Sequence, residues 1–197
     1  MSVLSYAIII GTIREGRFGD KPGKWLHELA GRRGTAIYDL IDLRVHPLPL
    51  FTDALPPTCG PSSNVEGQRW RETLARYDGY VFVFADYNHG ISGALKNALD
   101  YPYPELNRKP AAFLGYGGIG GARAVEQLRL IAIEFQLAAS RNAVHIGMPD
   151  FASLASGEAS FDDLPHLGDA ARKMLDDLEW WGPALSQARK EGEVAIV

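Results

Sequence analysis

The stretch Gly79–Tyr101, GYVFVFADYNHGISGALKNALDY, decides the fold. Its first seven residues, Gly79–Ala85, are almost all apolar and rich in β-branched and aromatic side chains, the pattern of a parallel strand covered on both faces. The run then breaks into a polar, aromatic turn. Ser92 stands where it can cap a helix with Leu95, Ala98 and Leu99 on one face, and Pro102 and Pro104 end that helix. Strand, turn and helix make half a βαβ unit. In open α/β sheets ligands bind at such turns, because helix N-termini and free backbone N–H groups converge at the carboxyl ends of strands.

The same alternation extends in both directions. Upstream, Tyr6–Gly11 (YAIIIG) reads as a first buried strand, followed by a loop that enters a helix near Asp20 with Pro22 in its first turn. Trp25, Leu26, Leu29 and Ala30 form that helix's inward face. Thr35–Leu43 is a second strand, and Arg44–Ser63, with Pro47, Pro49, Pro56, Pro57 and Pro61, is a rigid irregular loop. Asn64 caps the next helix, where Trp70, Leu74 and Tyr77 have helical spacing. Downstream, Pro110–Tyr116 is a fourth strand, Val125, Leu128, Ile131, Ala132 and Phe135 line a fourth helix, and Asn142–Ile146 is a short fifth strand. Gly147–Pro165 reads as a loop. Leu167, Ala170, Ala171, Met174, Leu175 and Leu178 then form the stripe of a closing helix, interrupted at Gly182 and Pro183, with a frayed tail at Glu191–Val197. Five strands alternating with five helices imply an α/β three-layer sandwich: helices on both faces of a five-stranded parallel sheet of order 2-1-3-4-5, in a single domain over residues 1–197.

Composition narrows the partners. With 197 residues and 46% hydrophobic content the chain can bury one sizeable core. The net charge of −4 comes from 20 basic and 24 acidic residues interspersed along the chain, so neither nucleic acid nor an anionic membrane is implied. The longest apolar runs are strand-sized, and no signal-peptide pattern is present, so a soluble protein is expected. The single cysteine, Cys59, fits a reducing compartment, with the cytoplasm as the default. His27, His46, His89, His145 and His166 are scattered without metal-ligand spacing, so no metal is expected, and no G-x-S-x-G elbow supports a hydrolase.

Three loops fall at the carboxyl ends of strands one, three and four, which are neighbours in that order. The first, GTIREGRFGDK, offers the Thr12 hydroxyl, backbone freedom at Gly16 and Gly19, and positive charge on Arg14, Arg17 and Lys21, the chemistry of a phosphate site. It is neither a Walker A motif nor a G-x-G-x-x-G turn, and alone it reads equally well as a solvated loop. In the second, Asp86–Ser92, Tyr87, Asn88 and His89 join an aromatic face to hydrogen-bonding groups beside Gly90, which suits a planar heterocycle; Asp86 has no visible partner to tune it and takes no acid–base role. The third, GYGGIGG at Gly115–Gly121, reads alone as a tight turn, and with the other two as a place where backbone groups approach a ring edge.

On these residues the chain resembles the NADPH-dependent FMN reductase family of flavodoxin-like flavoproteins, which includes quinone, azo-dye and chromate reductases. GTIREGRFGDK is similar to the family's G-S/T-x-R phosphate loop, DYNHGISGALKNALDY to its P-E-Y-N-H-G-x-P-G-x-L-K-N-A-x-D segment, and GYGG to its S-Y-G-G loop. The resemblance runs from about Ala7 to Ile146. It implies a flavodoxin-like fold in which Thr12, Arg14, Arg17, Phe18 and Gly19 hold the FMN phosphate. Asp86, Tyr87, Asn88, His89 and Gly90 would embrace the isoalloxazine, and Gly115, Gly117 and Gly118 would meet its pyrimidine edge. NADPH or NADH would be the co-substrate and a small molecule such as a quinone, azo compound or free flavin the acceptor. No catalytic side chain is needed, since the flavin carries the redox chemistry. The resemblance also implies a homodimer or homotetramer. Ala85 and Ser92 stand where the family has prolines, Asp86 where it has glutamate and Gly115 where it has serine, and the loss of two prolines predicts a looser central turn. The competing reading is a flavin-binding regulatory or electron-carrier protein with little turnover of its own.

Overall fold

The computed structural model describes residues 3–194. Six helices flank a parallel sheet among these residues: β1 (Ser5–Ile10), α1 (Asp20–Gly31), β2 (Ile37–Asp42), α2 (Val65–Ala75), β3 (Gly79–Ala85), α3 (Gly93–Asp100), β4 (Pro110–Tyr116), α4 (Ala122–Glu134), β5 (Ala138–Ala139), β6 (Val144–Ile146), α5 (Met148–Ser156) and α6 (Pro165–Val194). The sheet order is β2-β1-β3-β4-β5, with β6 also pairing β4. The order expected from the sequence holds, with one change at the edge. β5 meets the start of β4 (Pro110 beside Ala138) and β6 meets its end (Leu114 beside Val144), so two short segments share the fifth position. The break between them is pinned by Asn142, whose backbone N–H and side-chain Nδ2 both donate to Asp177 of α6, at 3.2 and 2.8 Å.

β3 is buried at all seven positions, and its side chains part by period two. Tyr80, Phe82 and Phe84 join the core made by Trp70 and Leu74 of α2, Leu95 and Leu99 of α3, and Val125 and Leu128 of α4. Val81, Val83 and Ala85 join the opposite core, made by Leu26 of α1, Leu154 of α5, and Leu167, Met174, Leu175 and Leu178 of α6. The flavodoxin-like α/β/α sandwich follows from that alternation, and it leaves the carboxyl ends of β1, β3 and β4 as the open crevice.

Two expectations need correction. Gly147–Pro165 is not a plain loop: it holds α5, with Pro149 in the first turn and Gly157 in the left-handed conformation just past the end (φ 83°). The closing helix is not interrupted at Gly182 and Pro183 but runs 30 residues through them. Pro183 removes one helical hydrogen bond, a local loss of about 3 kcal/mol. The helix tolerates it because both halves are anchored, the first by the buried stripe and the second by Arg189, which donates to the Arg108 carbonyl (2.7 Å) and to Asp78 (3.0 Å). Gly182 lets the Tyr6 hydroxyl lie against the helix backbone where a Cβ would collide with it. The helix extends through Glu191 to Val194, and residues 195–197 of the expected frayed tail lie outside the described residues.

Candidate functional site

The first loop leaves β1 at Gly11 and enters α1 at Asp20. Its centre is Arg17, whose guanidinium is buried with all five donors committed. Nε and one terminal nitrogen bond Asp20 (2.8 and 2.5 Å), both terminal nitrogens bond Asp42 (2.7 and 2.5 Å), and Nη1 also donates to the Thr12 carbonyl. The expected role of the Arg17 side chain as a phosphate ligand is therefore corrected: it lines the crevice but is committed to locking the loop. Burial alone would raise the Asp42 carboxyl, but the bonds from Arg17 and the Arg44 N–H outweigh it and hold the group below its ordinary value. Lys21 also lines the crevice, with its ammonium donating to the Leu154 and Ala155 carbonyls near the end of α5 (2.5 and 3.2 Å). Arg14 is exposed and forms no ion pair among the described residues; its guanidinium lies 5.5 Å from the centre of the Tyr87 ring. The N–H groups of Arg14, Glu15, Gly16, Phe18 and Gly19 take no acceptor among the described residues. A row of unpaired donors at a helix N-terminus is an anion cradle.

The second loop is a two-residue turn. Tyr87 and Gly90 exchange backbone hydrogen bonds (2.9 and 3.2 Å), and the residues between them, Asn88 and His89, both have positive φ (52° and 76°), as a type I′ turn requires. Asp86, unpartnered on the sequence reading, has two partners: its carboxylate accepts from the His89 N–H (3.0 Å) and from Arg123 Nε (2.9 Å). The third loop is shaped by its glycines. Gly117 has φ 138°, Gly120 and Gly121 are left-handed (φ 69° and 68°), and a Cβ at Gly121 would sit 2.7 Å from the Tyr116 nitrogen. Gly115 is buried in β4 against the carbonyls of Gly120 and Gly121, so it supports the loop from behind, while a Cβ at Gly118 would meet open space.

The three loops meet around a crevice of about 490 Å³, lined on the first by Arg14–Phe18, on the second by Asp86 and Tyr87, and on the third by Tyr116 and Gly117. Its remaining wall is α5, through Met148, Phe151 and Ala155. Phe18 packs on Tyr116 and Phe151 with ring centres 5.1 and 4.6 Å apart, and the Tyr116 hydroxyl lies 3.4 Å from that of buried Thr12. Burial pushes the Tyr116 phenol up, so it stays protonated at neutral pH. Asn88 and His89, which follow Tyr87 in the turn, are exposed and Gly90 is buried, and none of the three is among the residues lining the crevice. Sequence reasoning missed Tyr116, Phe151, Arg123 and Gln127. Tyr116 lies within the GYGG motif and Phe151 between the proline and glycine that bracket α5, whereas Arg123 and Gln127 carry no local signal.

Fold and site together define a class: a flavodoxin-like protein whose three strand-end loops converge on a crevice fit for a phosphate joined to a flat ring. Residues 4–149 match the family NADPH-dependent FMN reductase, and the chain belongs to that family. It is 35% identical over 133 residues to an NAD(P)H-dependent FMN reductase of a Nectria species, a match spanning 62% of this chain and 64% of that protein, less than two thirds of the relative's length. A quinone reductase of Pseudomonas putida is 28% identical over 180 residues, covering 88% of this chain and 89% of the relative. Among solved structures, RosB with a bound riboflavin-phosphate intermediate superimposes with a TM-score of 0.72 at 15% identity, over 94% of this chain and 81% of that one, a likeness of fold.

Proposed function

We propose that the chain is an FMN-dependent NAD(P)H oxidoreductase that passes reducing equivalents to a small acceptor such as a quinone, azo compound or free flavin. The observation that carries this reading is the convergence of the three loops on one crevice whose phosphate end is lined by unpaired backbone donors. The residues fit FMN. The free N–H groups of the first loop and the Arg14 guanidinium would hold the phosphate. The Tyr87–Gly90 turn would face the ring, and Gly117 and Gly118 would let backbone groups reach the ring edge. The aromatic wall of Phe18, Tyr116 and Phe151 keeps water from that side. Bound there, FMN supplies the hydride chemistry, so the side chains bind and orient and none is asked to act as acid or base. The family membership and the named activities of the Nectria and Pseudomonas relatives support the reading.

We extend it to assembly and setting. Leu130 and Ile133 stand exposed one turn apart on α4, which supports a homodimer or homotetramer, and the free, exposed Cys59 supports a reducing cytoplasmic setting. No helix among the described residues is long and apolar enough to cross a membrane. The decisive experiment is a visible spectrum and a melting curve with and without FMN. Ligand at a hundred times its dissociation constant stabilises a fold by about 2.7 kcal/mol, a shift of several degrees here. Flavin bands with that shift, followed by bleaching on adding NADPH or NADH and reoxidation by a quinone, are the expected result. A colourless protein indifferent to FMN overturns the assignment, and bound FMN that NAD(P)H cannot bleach leaves a passive flavin carrier.

A further inference from the structure

The turn that receives the flavin ring on the reading above is held from below by one helix face. Asn88 and His89 are non-glycine residues in left-handed backbone, a conformation that costs on the order of 1 kcal/mol each and persists only where the surroundings fix it. At the entrance to the turn, the Asp86 carboxylate accepts the His89 N–H at 3.0 Å and the Arg123 guanidinium at 2.9 Å, and the Asp86 side chain is only 2% exposed. At the exit, the Ile91 N–H donates to Gln127 Oε1 at 2.8 Å. Gly90 lies so close that a Cβ there would sit 2.6 Å from the same oxygen. Arg123 and Gln127 are one helical turn apart on α4, so a single face grips both ends of the turn.

We propose that Arg123 and Gln127 are positioning residues, acting through Asp86 and Ile91 to hold Tyr87–Gly90 in the shape that receives the flavin ring. The inference rests on FMN binding for its function and on α4 for its geometry, and the two separate experimentally. The variants are Arg123→Gln and Gln127→Leu, each with a conservative companion: Arg123→Lys keeps the charge, and Gln127→Glu keeps the oxygen that accepts from Ile91. Two readouts are taken on the full chain: amide hydrogen exchange at His89 and Ile91 without flavin, and the FMN dissociation constant by fluorescence titration. Arg123→Gln should speed exchange at His89 and Gln127→Leu at Ile91. Each should weaken FMN about tenfold, the effect of one lost hydrogen bond to a preorganised site, and the companions should recover part of both losses. Melting temperatures separate this from global destabilisation, which would speed exchange in the β3 amides as well. Exchange unchanged at both amides overturns the grip whatever FMN does. Faster exchange with unchanged FMN affinity overturns its role in positioning. A wild-type chain that binds no FMN defeats the functional reading, and with it the positioning role, while the exchange data still decide whether α4 holds the turn.

Discussion

Arg17 ends as a lock because its neighbours leave it no other use. Five donors meet two carboxylates and a carbonyl, and the planar fork satisfies all of them at once. The sequence offers no sign of this, since Asp42 lies 25 residues away on another strand and an arginine in a glycine-bearing loop has the same composition whether it faces a phosphate or a carboxylate. Only Asp20, three residues on, was within local reach. The lock is worth more than a surface ion pair and less than a wholly buried one, because the Arg17 side chain is 1% exposed while Asp20 and Asp42 remain 39% and 32% exposed. Arg17→Ala should therefore cost about 2 kcal/mol, below the 3–5 kcal/mol of a fully buried pair losing one partner. Arg17→Lys should recover less than half, since an ammonium cannot reproduce the fork. Urea unfolding measures both, and an alanine variant within 0.5 kcal/mol of wild type would show that the loop holds its shape without the lock.

Ser92 shows what the sequence makes legible at the level of an element. Its cap was readable because capping is local: Ser92 Oγ accepts the Leu95 N–H at 3.0 Å, as Asn64 caps α2 through the Gly67 N–H at 3.0 Å. Its second bond was not readable, since Ser92 Oγ also donates to the Gly11 carbonyl at 2.5 Å, tying the start of α3 to the end of β1 across 81 residues. The same division runs through the rest of the chain. The four long strands follow from apolar runs of strand length, and the three loops from the turn chemistry at their ends. The Asp86–Arg123 pair, the Lys21 contact with α5 and the split edge strand depend on partners distant in sequence. α5 is short: Met148, Phe151 and Ala155 recur at helical spacing, but nine residues with one buried, Leu154, are too brief a run to stand out from a loop. Ser92→Ala should lower stability by about 1–2 kcal/mol, a cap plus one buried bond, and Ser92→Thr, which keeps the hydroxyl, should lose less than half as much. If the melting temperature of Ser92→Ala matches wild type, the link between β1 and α3 carries no weight.

Over the whole molecule, the pH dependence of stability has opposite signs at its two ends. Hydrogen bonds from Arg17 hold Asp42 below its ordinary value, and those from Arg33, Tyr38 and Thr35 do the same for Glu179, in both cases overcoming the effect of burial. Groups whose folded value is depressed give stability that is complete above the ordinary carboxylate range and is lost as pH falls through the folded value, so the fold weakens into acid below about pH 4. Lys109 adds a second climb in the same direction at higher pH. Its ammonium is buried, donating to the Tyr80 hydroxyl at 3.1 Å, and burial, followed by the nearby Arg189 and opposed by Asp78 and Glu105, lowers it from 10.5 to about 8. Between those values the unfolded chain binds the proton that the folded chain has released, so stability rises with pH, by about 2 kcal/mol between pH 7 and 10. Above about pH 10 the trend reverses. Tyr6, Tyr38 and Tyr80, all raised chiefly by burial, keep their protons while the unfolded chain gives them up. Unfolding free energies measured in urea from pH 3 to 11 should thus climb from acid, climb again past pH 8 and fall beyond pH 10. Lys109→Met, which fills the same space without a charge, should remove the rise past pH 8 and leave the acid limb as it is. A wild-type curve flat from pH 7 to 10 would mean that Lys109 finds water or a carboxylate in solution, and that the lower end of β4 opens more than its packing shows.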